Sequence, residues 1–82
     1  MEYEMELKDE AKAALRAFPE ELRHQIGYRL HLLQKNFEGD VKKLKGSKNE
    51  YRLRVGNHRV LFELVGKRIV VYTLGARKDI YQ

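Results

Sequence analysis

Three arginines of this sequence are spaced so that they can bind one anion together. Arg52 and Arg54 are separated by a single residue in an alternating segment, and Arg59 follows shortly after them. Residues two apart in a β-strand project from the same face, so Arg52 and Arg54 share a face. Guanidinium groups form paired hydrogen bonds to carboxylate or phosphate oxygens. The spacing therefore predicts an anion site on one face of a sheet.

The loop Gly56-Asn57 fixes how the segments on either side of it pair, because a two-residue turn leaves no freedom of register. It places Arg54 opposite Arg59, and the same count places Arg52 opposite Leu61. A like-charge pair directly across two strands destabilises a sheet by up to ~1 kcal/mol. A bound anion explains this pair better than a purely structural sheet does.

A second tight turn, Gly66-Lys67, extends the count to the next strand. Regular pairing there places Leu61 opposite Tyr72 and Arg59 opposite Leu74. One face of the sheet is then predicted to be the core face, with Leu53, Val55, Val60, Phe62, Leu64, Ile69 and Val71. The arginine-bearing face is predicted to carry Leu61, Val70, Tyr72 and Leu74 as well.

Other side chains near this cluster could take part in chemistry. Arg77 and Lys78 follow the last strand and emerge near the same end. His58 lies at the turn end of the arginines, and its unperturbed pKa near neutrality suits proton transfer. Tyr81 is either a tail residue or a ring that stacks on a base. His24 and His31 lack a third ligand at suitable spacing, so no metal site is predicted.

The 82 residues suffice for one domain, residues 1–82. Hydrophobic residues make up 43% and charged residues 35%, which is a globular balance, and cysteine is absent. No apolar run approaches the ~18 residues of a membrane helix, and the first residues lack the order of a signal peptide. We expect a soluble, cytoplasmic protein that does not interact with a membrane.

The charge is distributed unevenly along the chain. Residues 1–41 hold six Lys and Arg against nine Asp and Glu, a net charge of −3. Residues 42–82 hold eleven Lys and Arg against three Asp and Glu, a net charge of +8. A strongly basic half favours nucleic acid or an acidic protein segment as the partner.

The period of the hydrophobic pattern changes along the chain. Residues 3–7 alternate, which is typical of a half-buried strand. Helical spacing follows up to Phe18, where Pro19 interrupts it. A second helix then carries an apolar stripe and ends at Gly39; the stripe comprises Leu22, Ile26, Leu30, Leu33 and Phe37.

The second half of the sequence returns to strands. Residues 40–48 are interpreted as a basic connector, and three strands follow from Tyr51 to Leu74. The predicted fold is α+β in the order β-α-α-β-β-β, with a helical hairpin packed on a twisted antiparallel sheet.

Two segments carry a resemblance to a known family. They are YRLRVGNHRVLF, preceded by Leu44-Lys45-Gly46, and VYTLGARKDIY near the end of the chain. Together they resemble the RelE/ParE superfamily of toxins, and more closely its RelE branch, over essentially the whole chain. The resemblance implies the same small α+β domain.

The resemblance also implies a function. RelE-type toxins enter the A site on the small ribosomal subunit and cut mRNA without a metal or cofactor. The ribose 2′-hydroxyl attacks the adjacent phosphate, which leaves a cyclic phosphate or a 3′-phosphate and a 5′-hydroxyl. A cognate antitoxin wraps such a toxin, and the pair binds operator DNA through the antitoxin. We expect the helical hairpin to be the antitoxin-docking surface.

Site residues are carried over from the resemblance position by position. Arg52, Arg54 and Arg59 match the basic positions on the strands, with Arg59 orienting the phosphate. Arg77 matches the residue that assists the leaving 5′-oxygen, and Tyr81 the tyrosine that stacks on the nucleotide. RNA-binding lysines are expected at Lys43, Lys45, Lys48 and Lys78.

One departure leaves the general base open. The best-studied branch has lysines where this chain has Arg52 and Arg54, and a guanidinium does not give up its proton. His58, a deprotonated Tyr81 or no base at all are the alternatives. Two other functions also stay open: a ParE-like inhibitor of DNA gyrase, and a non-catalytic co-repressor subunit that only binds the antitoxin.

Overall fold

The computed structural model describes residues 2–80, which form two helices on one face of a five-stranded sheet. The elements are β1 (Glu4–Leu7), α1 (Asp9–Ala17), α2 (Glu20–Asn36), β2 (Asp40–Lys43), β3 (Glu50–Val55), β4 (His58–Val65), β5 (Arg68–Ala76) and a final 3-10 turn (Arg77–Asp79). The α+β class and the helical hairpin are confirmed. Within residues 2–80, no helix combines the length and the apolar character needed to cross a membrane.

The sheet order is β1-β5-β4-β3-β2. Three consecutive antiparallel pairs join β2 to β5, whereas β1 pairs with β5 in parallel. The sheet is therefore mixed, not purely antiparallel as predicted. The expected connector is also wrong over its first part, because Asp40–Lys43 pairs with β3 as a fifth, edge strand.

The core lies between the helices and one face of the sheet. Helix α2 contributes Ile26, Leu30 and Leu33 to it, and the stripe predicted from sequence is thereby confirmed. Phe62 of β4 is fully buried and contacts Tyr51 and Phe37 through stacked and edge-to-face rings. Such aromatic pairs add about 0.5–1.5 kcal/mol beyond the area they bury. Both helices cover the same face, so the arginine-bearing face has no helix over it.

Helix α2 ends earlier than the sequence predicts. Phe37 is the C-cap and adopts the left-handed conformation, with φ 57°. Gly39 lies beyond the cap, with φ 143°, and packs its backbone against Leu53. A Cβ at Gly39 would lie 2.7 Å from the Leu53 Cδ1 atom. This glycine therefore allows the close approach of the chain to the core as it enters β2.

We expect Gly39→Ala to lower the free energy of unfolding by about 1–3 kcal/mol, since it overpacks the Leu53 site at a backbone angle that suits glycine. Gly27→Ala is the matched control, because Gly27 is an exposed helical residue with open space around it. It should raise the free energy by about 0.5–1 kcal/mol. Urea denaturation measures both; equal stabilities for Gly39→Ala and wild type would contradict the assignment.

Candidate active site

The first hairpin pairs as the sequence predicts. Arg54 lies directly opposite Arg59, and Arg52 opposite Leu61. Gly56 takes the positive φ of 59° that the tight turn requires. Directly opposed residues project from the same face of a sheet. The three arginines therefore share one face, which we call the arginine face.

The second hairpin contains a β-bulge that the regular count does not include. The register shifts between Leu61 and Phe62, so that Leu61 pairs with Thr73 and Arg59 with Gly75. The predicted pairing of Arg59 with Leu74 is wrong. Leu74 instead pairs with Val60 on the core face and is buried there.

One cross-strand row defines the centre of the arginine face. It runs over β2, β3, β4 and β5, and its members are Asp40, Arg54, Arg59 and Gly75. We call this set the arginine row. The neighbouring row comprises Lys42, Arg52, Leu61 and Thr73. Adjacent strands are about 4.8 Å apart, so side chains along a row are within reach of a common ligand.

Arg77 extends the arginine row at its β5 end. Its backbone N–H donates to the Asn57 carbonyl at 2.7 Å, which fixes the chain where it leaves β5. After the 3-10 turn, the Ile80 side chain comes so close to Gly75 that a Cβ there would lie 3.3 Å from it. The segment after β5 is thus held next to Arg59.

The guanidinium groups act on one another electrostatically. Burial lowers the pKa of Arg59 from its usual range, and the charges of Arg77, Arg52 and Arg54 lower it further. Like charges destabilise the charged form of their neighbours. The four cations therefore share one positive field, which an anion would relieve.

Two donors in this field lack a hydrogen-bond partner among residues 2–80. They are Arg52 Nη1 and Arg59 Nε, both buried. Arg52 is the more enclosed residue, with 6% of its side chain exposed against 47% for Arg54. An unsatisfied buried donor costs free energy, so these two guanidinium groups bring their charge to the site at a cost to the stability of the fold.

Asp40 is the carboxylate nearest to these arginines among the described ion pairs. Its oxygens lie 4.0 Å from Arg52 Nη1 and 3.8 Å from Arg54 Nε. Arg54 and Asp40 are both about half exposed, and surface pairs of this kind contribute roughly 0–1 kcal/mol. The pair with Arg54 is therefore weak enough for a phosphate to replace it.

A polar cluster lies farther along the same face. Tyr72, the residue skipped by the bulge, donates its hydroxyl to Glu50 Oε1 at 2.7 Å. Asn49 donates to Glu63, which lies opposite Glu50. Burial raises the pKa of Tyr72 to about 12, and the hydrogen bond to Glu50 adds to the effect. Tyr72 is therefore a neutral donor at physiological pH.

The predicted lysines are distributed over different surfaces. Lys45 and Lys43 line an open groove of about 880 Å³ on the arginine face, together with Lys42 and Tyr72. Lys48 lies in the exposed turn before β3 and does not line this groove. Lys78 is exposed in the final 3-10 turn.

His58 does not join the arginines. It pairs with Val55, and both lie on the core face. Its ring contacts Phe18 edge-on, with centroids 5.2 Å apart. The expectation that His58 lies with the arginine cluster is therefore not met. Tyr81 lies outside the described residues.

Sequence reasoning missed Asp40 and Lys42, which enter the site on β2. The segment Asp40–Lys43 has a single apolar residue, Val41, and therefore no alternating signal. Asp40 pairs with Arg54 and Lys42 pairs with Arg52, so β2 adds one acidic and one basic side chain to the arginine face.

Comparison with known proteins finds one similar sequence and several similar folds. A relative, the toxin RelE3 of Methanocaldococcus jannaschii, is 48% identical over 42 residues. The match spans 51% of this chain and 48% of that relative, about half the length of each. No protein-family model matches the chain.

Solved structures of similar fold cover nearly the whole chain. The RelB-RelE antitoxin-toxin complex from Methanococcus jannaschii contains a chain that is 29% identical, with a TM-score of 0.79 and coverage of 94% of this chain and 95% of that chain. The archaeal RelE-RelB complex from Pyrococcus horikoshii gives 24% identity and a TM-score of 0.78 over 98% of this chain and 100% of that chain. The second likeness shows the shared fold alone.

We expect inorganic phosphate to stabilise the protein through the arginine row. A ligand at ten times its dissociation constant adds about 1.4 kcal/mol, which is roughly 6–11 °C in the melting midpoint of a domain this small. Arg59→Gln should abolish the shift, while Arg29→Gln, an exposed position on α2, should retain it. Melts at matched ionic strength measure this. An equal shift in all three proteins would indicate a nonspecific salt effect.

Tyr72 makes the protein sensitive to alkaline pH. Folding raises the pKa of Tyr72, so the neutral hydroxyl stabilises the folded state. This stabilisation is complete below pH 10 and is lost as the pH rises through about 12. We expect the free energy of unfolding to fall less steeply between pH 10 and 12 in Tyr72→Phe than in wild type. Denaturant titrations at each pH provide the measurement. Parallel pH dependences would contradict the assignment.

Proposed function

We propose that this chain is a member of the RelE family, that it is the toxin of a toxin–antitoxin pair, and that it cleaves mRNA in the ribosomal A site. The observation that carries the proposal is the arginine row on a face that neither helix covers. Its cations are close enough to depress the pKa of Arg59, and two buried donors near it are unpaired among the described residues. A phosphodiester supplies the charge and the acceptors that this surface lacks.

The chemistry proposed is the attack of a ribose 2′-hydroxyl on the adjacent phosphorus. The pentacoordinate transition state carries more negative charge on the phosphate oxygens than the substrate does. Arg54 and Arg59, side by side on neighbouring strands, would donate to those oxygens. A donor placed in this way contributes about 2.7–4 kcal/mol to the barrier reduction.

Arg52 and Arg77 have different proposed roles. Arg52 is almost fully buried, so it would act on the phosphate from beneath through its charge. Arg77 lies at the β5 end and would stabilise the 5′-oxygen as it leaves. The reaction needs no cofactor and yields a cyclic phosphate and a 5′-hydroxyl.

The RNA path is proposed to continue from the arginine row along the groove that Lys43 and Lys45 line. Lys78 would contact the strand at the opposite end, beside Arg77, and Lys48 would contribute only long-range attraction. Lysine contacts to the backbone give affinity without reading sequence. For Tyr81 we retain the stacking role, and His58 has no proposed role in proton transfer.

The proposed partners are a cognate antitoxin, the small ribosomal subunit with its mRNA, and operator DNA through the antitoxin complex. A RelE-type chain of this fold is seen with its RelB antitoxin in the Methanococcus jannaschii complex. The exposed outer surfaces of α1 and α2 remain the proposed docking site. Action on ribosomes implies a cytoplasmic location.

We expect purified protein to cut a defined mRNA at A-site codons on programmed ribosomes, as seen by primer extension. Arg77→Ala should slow single-turnover cleavage by about 10²–10³-fold, the usual loss for one transition-state donor. Arg29→Ala removes the same charge from the helical side and should cleave at the wild-type rate.

Free RNA incubated beside the ribosomes shows whether cleavage depends on the ribosome. Arg77→Ala should still bind the antitoxin, because the proposed docking surface is on the helices. Intact mRNA in every lane, from folded protein, would eliminate the nuclease and direct the next assay to DNA gyrase.

A further inference from the structure

Cleavage by a 2′-hydroxyl requires a group that takes its proton. The arginines cannot do so, because guanidinium stays protonated. His58 is on the core face, where it packs against Phe18. The groups able to accept a proton on the arginine face must therefore come from other positions of the described sheet.

We propose that Asp40 is the general base of the cleavage reaction. This inference rests on the proposed function and adds the proton acceptor to it. Asp40 is 58% exposed, so a ribose can reach it. It is also tied to the phosphate-binding groups, with oxygens 4.0 Å from Arg52 Nη1 and 3.8 Å from Arg54 Nε.

The position of Asp40 in the arginine row fits the stereochemistry of the reaction. Asp40 begins the row on β2, and Arg77 follows its last member, Gly75, on β5. Three strand spacings separate the ends of the row, roughly 14 Å. In an in-line displacement the attacking and leaving oxygens lie on opposite sides of phosphorus. A phosphate held by Arg54 and Arg59 would therefore have Asp40 on one side and Arg77 on the other.

Two acids of the arginine face lie on β1, at the other edge of the sheet. Glu4 and Glu6 are both ion-paired with Arg68, so they are less suitable as the base.

The acids of β3 and β4 on this face are less suitable as well. Glu50 already accepts the Tyr72 hydroxyl at 2.7 Å. It also lies four residues from Arg54 along β3, about 13 Å away at the usual rise of a strand. Glu63 is opposite Glu50 and equally distant from the row. Lys42 carries an ammonium that must first lose a proton.

The proton and bond changes balance without a co-reactant. The Asp40 carboxylate takes the 2′-hydroxyl proton while the 2′-oxygen forms its bond to phosphorus. The bond from phosphorus to the 5′-oxygen breaks, and the leaving oxygen, stabilised by Arg77, takes a proton from water. Asp40 then returns its proton to solvent.

An alternative role for Asp40 predicts the opposite change in the cleavage rate of Asp40→Asn. If Asp40 were only a counter-ion that neutralises Arg52 and Arg54, removing its charge would strengthen phosphate binding. RNA would bind more tightly to Asp40→Asn, and cleavage would be unchanged or faster. The base role requires slower cleavage despite the stronger positive field.

The test is single-turnover cleavage on programmed ribosomes by wild type, Asp40→Asn and Asp40→Glu. General base catalysis contributes about 10²–10⁴-fold, so Asp40→Asn should lose at least 10²-fold at pH 7, and Asp40→Glu should recover part of the rate. Glu38→Gln is the matched control, because it removes one exposed acid two residues away. It should cleave like wild type.

The pH dependence of the cleavage rate distinguishes the loss of a general base from the loss of a binding contact. The charged groups facing Asp40 are Arg52 and Arg54 of β3, with Lys42 on its own strand. None of them replaces a carboxylate as acceptor at neutral pH. Hydroxide must serve in Asp40→Asn, so its rate should rise about tenfold per pH unit from 6.5 to 8.5 and approach the wild-type rate. If the cleavage rate of Asp40→Asn is lower than that of wild type by the same factor at every pH, the proposal is overturned.

A modified substrate separates the base from the leaving-group position. Sulfur in place of the bridging 5′-oxygen leaves without assistance. It should restore cleavage by Arg77→Ala but not by Asp40→Asn, and restoration of both would overturn the assignment. An active wild type with an equally active Asp40→Asn would refute only this inference. An inactive wild type would refute the proposed function itself.

Discussion

The register set by the Gly56-Asn57 turn is the constraint on which the rest of the site depends. A two-residue loop allows one pairing, and that pairing puts Arg54 directly across from Arg59. The opposed cations repel each other, at a cost of up to ~1 kcal/mol. The same register aligns Leu53 with Val60 and Tyr51 with Phe62 on the other face, where all four belong to or pack against the core. Burial of one such side chain is worth about 1.5–3 kcal/mol, so the core face holds the arginines in place despite their repulsion.

Sequence reasoning succeeds where one strong local signal decides the structure. The Gly56-Asn57 hairpin and the stripe of α2 are of this kind, and both are found as predicted. It fails where tertiary packing overrides the signal. Gly39 is the expected helix stop, yet α2 ends at Asn36 because Phe37 accepts a left-handed backbone and packs its ring against Tyr3, Tyr51 and Phe62. Strand β2 gives no period-2 pattern, since it is an edge strand with one apolar residue, and its pairing with β3 depends on a partner distant in sequence.

The β-bulge between Leu61 and Phe62 determines which residue of β5 lies next to Arg59. Regular pairing would have put the Leu74 side chain beside the Arg59 guanidinium. The bulge moves Leu74 to the core and presents Gly75, which has no side chain, opposite Arg59. The extra residue cannot be predicted from the sequence. Ile69 to Leu74 is a nearly continuous apolar run, so the pattern does not show which of its residues face the core.

The bulge also couples the chain after β5 to the arginines. The Ile80 side chain occupies the space beside Gly75, where a Cβ would lie 3.3 Å from it, and Arg77 is fixed by its hydrogen bond to the Asn57 carbonyl in the first turn. The turn that opposes Arg54 and Arg59 therefore also positions Arg77, whose charge depresses the pKa of Arg59. One backbone feature on each hairpin, a tight turn and a bulge, thus arranges cations from three separate segments into a single field. Asp40, at the free edge of the sheet, is the acid that borders this field, and its long ion pairs leave its exposed carboxylate available to a substrate.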